Sequence, residues 1–242
     1  MFANKVVLVT GGSSGIGAAT VELFAKEGAA VAFVGRNEVK LKEVSSRCEK
    51  LGAKTLIIKA DVSKDEEAKT VVQKTVDKFG KLDVLVNNAG IIRNASVLDP
   101  DLIGNFDAIM NTNLRPVVLI TSLAIPHLIA TKGNIVNVSS VLSTPDNIAY
   151  RTSKAAMNHF TRSLALELSP HGIRVNSISP GPVRTDIFEG LEVTEEKLRN
   201  NTALQRISET IEIADMIIYV ASDKAKGITG SNFVIDNGTM LK

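Results

Sequence analysis

Tyr150 and Lys154 stand four residues apart in a stretch whose composition favours a helix. Residues at that spacing share one helix face, so the phenol and the ammonium group are presented together. An unperturbed tyrosine has a pKa of about 10, and a nearby cation lowers it by stabilising the phenolate. The pair could therefore act as a general acid–base. Taken alone, the spacing is more often that of a solvated helix face with an extended lysine, so the surrounding elements must decide.

Short apolar runs alternate with amphipathic helical segments along the 242 residues. This alternation predicts one α/β domain, residues 1–242, with a doubly wound (Rossmann) parallel sheet of about seven strands and helices on both faces. Tyr150 and Lys154 fall on a predicted helix at 149–168, and a helical region at 103–130 is expected to bend near Asn113 and Pro116. The predicted strands span residues 5–10, 30–35, 54–59, 83–86, 134–138, 173–178 and 232–236.

A glycine-rich turn follows the first predicted strand, at the carboxyl end where such sheets bind ligands. Glycine permits a tight turn and close approach of a ligand, and the N-terminus of the next helix attracts a pyrophosphate. A turn that only lets helix and strand pack closely is the alternative. Its position in the first βα unit favours a dinucleotide site. The predicted contacts in this turn are Gly11, Ser13, Ser14, Gly15, Ile16 and Gly17.

The end of the second predicted strand bears on which dinucleotide binds. NAD-binding versions of the fold usually place a carboxylate there to hold the ribose hydroxyls. This chain has Gly35-Arg36-Asn37 instead. Arg36 could bind the 2′-phosphate of NADP through two parallel hydrogen bonds. The sequence therefore predicts NADP(H) as the cofactor.

Two further strand ends carry candidate cofactor contacts. Asp61 and Val62 follow the third strand, where Asp61 could accept from the adenine amino group or cap the next helix, predicted at 65–79. Ser63 is another possible cap for that helix. The fourth strand leads into Asn88, Ala89 and Gly90, and Gly90 would let the cofactor lie close to the chain.

These motifs together resemble the short-chain dehydrogenase/reductase family along essentially the whole chain. The stretch between Ser140 and Tyr150 is a few residues shorter than usual in that family, which leaves Ser139 as an alternative to Ser140. The chain also has Asp236-Asn237-Gly238 where the family usually has Asp-Gly-Gly. The matching motifs are Thr-Gly-x-x-x-Gly-x-Gly at 10–17, Asn-Asn-Ala-Gly at 87–90, Asn-x-Ser-Ser at 137–140, Tyr-x-x-x-Lys at 150–154 and Pro-Gly at 180–181.

The resemblance implies a role for each matching residue. Tyr150 would donate a proton to a carbonyl oxygen, while Lys154 would lower the tyrosine pKa and bond the nicotinamide ribose. Ser140 would orient the carbonyl and stabilise charge on its oxygen. Asn113 would hold a water that connects Lys154 to solvent, and Thr185 would bond the nicotinamide carboxamide. The remaining implied cofactor contacts are Pro180, Gly181 and Val183.

The expected substrate wall is mainly apolar and includes Ser140, Tyr150, Ile92, Val141, Leu142, Ile187, Phe188 and Leu191. It favours NADPH-dependent reduction of a hydrophobic ketone, such as a steroid or terpenoid. A 3-oxoacyl thioester is the alternative substrate, and an NADP-linked alcohol dehydrogenase would run the reaction backwards. A catalytically silent dinucleotide sensor is the non-enzyme alternative. The presence of both Tyr150 and Lys154 argues against it.

Composition bears on partners and location. The 28 basic and 26 acidic residues are scattered, so no nucleic-acid partner is expected. The three histidines lack ligand spacing, and no metal is expected. The most apolar stretch, 117–130, is too short to span a bilayer, and no signal peptide is evident before the first strand. A single cysteine, Cys48, suits a reducing, cytoplasmic setting. The resemblance implies a homo-oligomer, a tetramer or a dimer, formed through the helices near 103–130 and 149–168 and the C-terminal strand.

Overall fold

The computed structural model describes residues 1–93, 96–141, 147–188 and 194–242. Within these ranges the strands form one parallel sheet, which confirms the predicted doubly wound α/β fold. The sheet order is β3-β2-β1-β4-β5-β6-β7. Its strands are β1 (Val6–Thr10), β2 (Ala30–Gly35), β3 (Thr55–Lys59), β4 (Val84–Asn87), β5 (Asn134–Val138), β6 (Arg174–Pro180) and β7 (Asn232–Ile235).

Helices cover both faces of the sheet. Successive strand residues point to opposite faces, so Val7 and Val9 pack with α1, α2 and α9, whereas Leu8 packs with α4, α6 and α7. Burial on both sides explains why the strands read as continuous apolar runs. The helices are α1 (Gly15–Lys26), α2 (Glu38–Lys50), α3 (Asp65–Ala68), α4 (Thr70–Phe79), α5 (Leu102–Asn113), α6 (Arg115–Thr131), α7 (Ile148–Leu168), α8 (Glu195–Asn200) and α9 (Thr210–Ala221).

The helix predicted at 65–79 is interrupted at Lys69, which separates α3 from α4. The prediction of Ser63 as its cap is wrong, because Lys64 occupies the N-cap position. The Ser63 N–H and hydroxyl instead donate to Oδ1 of Asp61 at 3.0 and 2.7 Å. Asp61 therefore closes a turn at the end of β3 and does not cap the helix.

The helical region predicted at 103–130 breaks at Leu114, close to the expected bend, and Pro116 lies in the first turn of α6. Among the described residues, the stretch Leu102–Thr131 is long and apolar enough to cross a membrane by those two criteria alone. A core helix of a soluble protein meets the same criteria. In this fold α6 packs Ile120, Ala124 and Leu128 against the sheet.

Candidate active site

The carboxyl ends of the first six strands open into one cavity of about 510 Å³. The structure thus brings together groups that lie far apart in the sequence. The predicted site residues that line the cavity are Gly11, Ser13, Ser14, Gly15, Ile16, Arg36, Asp61, Val62, Asn88, Ala89, Gly90, Ser140, Tyr150, Lys154, Pro180, Gly181, Val183, Thr185, Ile187 and Phe188. Two predicted wall residues, Leu142 and Leu191, lie outside the described residues.

The glycine-rich turn forms a cradle at one end of the cavity. Gly11 and Gly15 have φ angles of 68° and 55°, a region that side chains rarely adopt. A Cβ at Gly11 would lie 2.9 Å from the Cα of Ala89, so the turn packs directly on the end of β4. Helix α1 begins at Gly15 with no acidic residue in its first turn. Its first N–H groups therefore face the cavity as an anion site that fits a pyrophosphate.

Gly17 does not line the cavity, and its role as a direct cofactor contact stays a prediction. A Cβ at this position would overlap the carbonyl oxygen of Gly11 and press on the side-chain amide of Asn88. That amide donates to the carbonyls of Thr10 and Gly11 at 3.0 and 3.1 Å. Gly17 is thus required for packing the helix behind the turn, and it shapes the cradle from the rear.

Arg36 and Asp61 lie at the far end of the cavity from Tyr150. Arg36 is exposed, and no carboxylate among the described residues is within ion-pair distance of its guanidinium. Burial tends to raise the pKa of Asp61, but hydrogen bonds from Ser63 and the Arg36 charge outweigh it, and the pKa is lowered. Asp61 is therefore ionised at neutral pH, and Arg36 keeps its charge available to a ligand.

At the other end of the cavity, Tyr150 in the first turn of α7 hydrogen-bonds Ser140, which follows β5. The neighbouring Ser139 is buried, and its hydroxyl donates to the backbone carbonyl of Lys154 at 3.1 Å. Ser139 thus fixes α7 to the sheet, whereas Ser140 contacts the tyrosine. This arrangement favours Ser140 over Ser139, the alternative that the sequence left open, as the serine that acts beside Tyr150.

Lys154 is 4 % exposed, and its Nζ donates to the carbonyl oxygen of Val138 at 2.8 Å. The ammonium lies 5.7 Å from the centre of the Tyr150 ring. Burial lowers the pKa of Lys154 from 10.5 to about 8. Burial also raises the pKa of Tyr150, while the Ser140 hydrogen bond lowers it in part. Desolvation of the phenolate thus outweighs the Ser140 hydrogen bond at Tyr150, and the expectation that Lys154 lowers the tyrosine pKa stays a prediction.

Asn113 is fully buried behind the cavity and does not line it. Its Nδ2 donates to the carbonyl of Ile91 at 2.9 Å and to the Ser153 hydroxyl at 3.3 Å, and its Oδ1 accepts from the Ile91 N–H at 2.8 Å. The side chain thereby ties the loop after β4 to α7. The predicted water relay through Asn113 stays a prediction.

Sequence reasoning missed polar groups on the cavity wall. Asn147 precedes α7 and is buried, and Asp186 follows Thr185; both line the cavity. Asn147 is signalled only by its place three residues before Tyr150. Beneath the site, Asn87 donates to Asn137 at 2.9 Å. The described residues hold no cluster of three or more His, Cys, Asp or Glu side chains arranged for a metal ion.

Comparison with known proteins agrees with this geometry. A family model described as enoyl-(acyl carrier protein) reductase matches residues 11–240. The 3-oxoacyl-[acyl-carrier-protein] reductase of Thermotoga maritima is 38% identical, over 98% of both chains. The 3-alpha-(or 20-beta)-hydroxysteroid dehydrogenase of Mycobacterium tuberculosis is 36% identical, over 98% of this chain and 90% of its own length.

A crystal structure of a short-chain dehydrogenase from Burkholderia cenocepacia in complex with NADP superposes with a TM-score of 0.92. It is 34% identical, and the match covers 99% of each chain. The sequence motifs, the sheet order and the cavity that joins the glycine-rich turn to Tyr150 and Lys154 all correspond to one family. The chain belongs to the short-chain dehydrogenase/reductase family and is an oxidoreductase whose fold binds NAD(P).

Proposed function

We propose that this enzyme uses NADPH to reduce the carbonyl of a hydrophobic ketone to a secondary alcohol. The observation that carries the proposal is the hydrogen bond between Tyr150 and Ser140 at the apolar end of the cavity. Two hydroxyl groups converge there, and a carbonyl oxygen between them would accept from both. When bound, NADPH supplies the hydride that is added to the carbonyl carbon.

Tyr150 is the general acid of the proposed reaction. Its raised pKa keeps the phenol protonated at neutral pH, so the proton is available when charge develops on the substrate oxygen. Ser140 orients that oxygen and stabilises its developing charge. Lys154 then returns a proton to the tyrosine and bonds the nicotinamide ribose. Asn113 holds the water through which Lys154 is reprotonated from solvent.

The preference for NADPH rests on Arg36. A charged hydrogen bond to the 2′-phosphate contributes about 1.5–3 kcal/mol, or roughly 10–150-fold in affinity. Ser13 and Ser14 add only neutral hydrogen bonds. Since no carboxylate ends β2, NADH gains no matching contact with its ribose hydroxyls.

Arg36→Ala should weaken NADPH by about that factor and leave NADH almost unchanged. The measurement is kcat/KM with both cofactors. Arg47→Ala is the matched control, since Arg47 is an exposed arginine of α2 paired with Glu22 outside the cavity. Equal use of both cofactors by the wild type, or equal loss of both in Arg36→Ala, would contradict this role. Gly35→Asp is a poorer test, because a Cβ there lies 3.0 Å from the Ser13 side chain.

The substrate class is inferred from the wall beside Tyr150. The described part of this wall is mainly apolar, with Ile92, Val141, Ile187 and Phe188, although Asn147 also lines the cavity. A relative that acts on hydroxysteroids supports a bulky apolar ketone. The acyl-carrier reductase relative favours a 3-oxoacyl thioester as the second candidate.

NADPH oxidation with a panel of steroid ketones, terpenoid ketones and acetoacetyl thioesters separates these candidates. The first proposal requires the highest kcat/KM for an apolar ketone. A thioester that is preferred over every such ketone would replace it with the second candidate. Oxidation of the matching alcohols with NADP+ measures the reverse reaction, which the same residues serve.

We further propose a homo-oligomer, a tetramer or a dimer, in the cytoplasm. Apolar side chains on α6 and α7 remain exposed, including Leu123 at 37% and Leu166 at 80%. A buried lone Cys48 suits a reducing compartment. Light scattering that gives only a 25.9 kDa species at micromolar concentration would contradict the oligomer. Fractionation of the expressing cell tests the location.

A further inference from the structure

Lys40 and Asp186 form an ion pair across the carboxyl edge of the sheet. The Nζ of Lys40, in the first turn of α2, lies 2.7 Å from Oδ2 of Asp186. Asp186 belongs to the chain that leaves β6, whereas α2 follows β2. The sheet order places β1, β4 and β5 between those strands. Four strand spacings amount to roughly 19 Å, so the chain after β6 must cross the sheet edge to reach α2.

We call this crossing segment, residues 184–186, the strap. It passes over the glycine-rich turn, since a Cβ at Gly15 would lie 3.1 Å from Cγ2 of Thr185. Gly15 begins α1, where the anion site of the cavity lies. Asp186 itself lines the cavity. The strap therefore covers the part of the cleft between Arg36 and Tyr150, through which a bound dinucleotide must run.

The two ends of the strap are held differently. At its root, the Arg184 guanidinium contacts Glu195 at 2.6 and 3.0 Å and Glu209 at 3.0 Å. The Arg184 N–H also donates to the carbonyl of Ser208 at 2.9 Å. At its tip, Lys40 and Asp186 have side chains that are 46% and 47% exposed. The ion pairs of the root are also exposed, with Arg184 at 52% and both glutamates at 55%, but the root has two carboxylate partners and a backbone hydrogen bond in addition. A single exposed pair such as Lys40–Asp186 contributes little, so the tip can open while the root stays fixed.

We propose that Lys40 is a positioning residue that acts through Asp186, holding the strap over a bound NAD(P) molecule and slowing its release. The pair also neutralises a carboxylate that would otherwise face the anionic dinucleotide. The strap crosses the pyrophosphate region, which NADH and NADPH share. Its effect must therefore be the same for both cofactors, unlike that of a residue that binds the 2′-phosphate.

The test measures dissociation of NADPH and of NADH by stopped-flow displacement. Lys40→Met should release both cofactors about two- to fivefold faster, the range expected for an exposed ion pair. Lys42→Met is the matched control, since Lys42 lies on the same helix and pairs with Glu38 away from the cavity. The control should release both at the wild-type rate, and Lys40→Arg should retain slow release.

Two further readouts separate a strap from a general loss of structure. Wild-type release should quicken with ionic strength, because salt screens an exposed pair, and Lys40→Met should show a weaker dependence for both cofactors, since only the screening of the Lys40–Asp186 pair is removed. Lys40→Asp combined with Asp186→Lys should release more slowly than Lys40→Asp alone. The proposal is overturned if Lys40→Met matches its control. It is also overturned if only NADPH is released faster, because Lys40 would then be a ligand of the 2′-phosphate.

Discussion

Lys154 should destabilise the folded protein at neutral pH, although it lines the candidate active site. Its ammonium is almost fully buried, and burial lowers its pKa from 10.5 to about 8. Below pH 8 the lysine is charged in both the folded and the unfolded chain, so folding must desolvate a charge. Lys154→Met removes that cost and retains an unbranched side chain of similar length.

The sign and the size of the pH-dependent stability difference between wild type and Lys154→Met follow from the lowered pKa of Lys154. Between about pH 8 and 10.5 the unfolded chain binds one more proton than the folded chain, so stability rises with pH. Each pH unit is worth about 1.4 kcal/mol, which gives about 3 kcal/mol over the whole interval. The wild type should therefore gain about 3 kcal/mol relative to Lys154→Met between neutral pH and pH 10.5. Above 10.5 the lysine is neutral in both states and the difference becomes constant.

The assay is urea unfolding of both proteins without cofactor, at one protein concentration, from about pH 7 to about pH 11. Lys154→Met also leaves the carbonyl of Val138 without its donor, at a cost of about 1–3 kcal/mol. That cost does not depend on pH. It therefore shifts the difference in unfolding free energy between wild type and Lys154→Met by a constant, without changing how that difference varies with pH. Lys42→Met is the control, because Lys42 is 68% exposed. A difference between wild type and Lys154→Met that stays flat across the interval would refute the reasoning.

Two further predictions concern Tyr150, the proposed general acid, and Gly17 in the glycine-rich turn. Tyr150→Phe should lower kcat by at least about 100-fold while NADPH binding, followed by fluorescence titration, stays nearly unchanged. A variant that keeps more than about a hundredth of the wild-type kcat would contradict general acid catalysis by Tyr150. Gly17→Ala should lower Tm and weaken dinucleotide binding, because its Cβ would overlap the Gly11 carbonyl. Gly227→Ala, with nothing within 4 Å of its added Cβ, should change neither and serves as the control.

The strands could be predicted because burial on both faces of the sheet requires a continuous run of apolar residues, which is visible in the sequence. The bounds predicted for β2 and β5 match the structure to the residue. Since every motif lies at the exit of a strand or near the start of the next helix, the rule that ligands bind at the carboxyl ends also predicted that the motifs would converge. The interruption between α3 and α4 could not be predicted, because Lys69 has an ordinary helical conformation and no sequence signal marks it.

Details of the site depended on information that spacing does not contain. Spacing predicts that Tyr150 and Lys154 share a helix face, but it gives no measure of their burial, and burial sets both pKa values. Ser139 and Ser140 are the same residue type at adjacent positions after β5. The sequence therefore does not show that the Ser139 hydroxyl bonds the backbone of Lys154 whereas Ser140 bonds Tyr150. The Lys40–Asp186 pair joins residues 146 positions apart. Exposed ion pairs contribute too little to stability to constrain the sequence, so no sequence pattern predicts them.

Burial acts on the two groups of the proposed acid–base pair in a way that gives proton transfer a direction. It favours the neutral form of each, so the pKa of Tyr150 rises above 10 while that of Lys154 falls to about 8. The lysine is then a stronger acid than the phenol beside it. In the proposed reduction, a tyrosinate left after proton donation is reprotonated downhill by the ammonium, and at pH 7 solvent recharges the lysine. The same desolvation that costs the fold stability at neutral pH thus also keeps the phenol of Tyr150 protonated, which is the form that the proposed reduction requires.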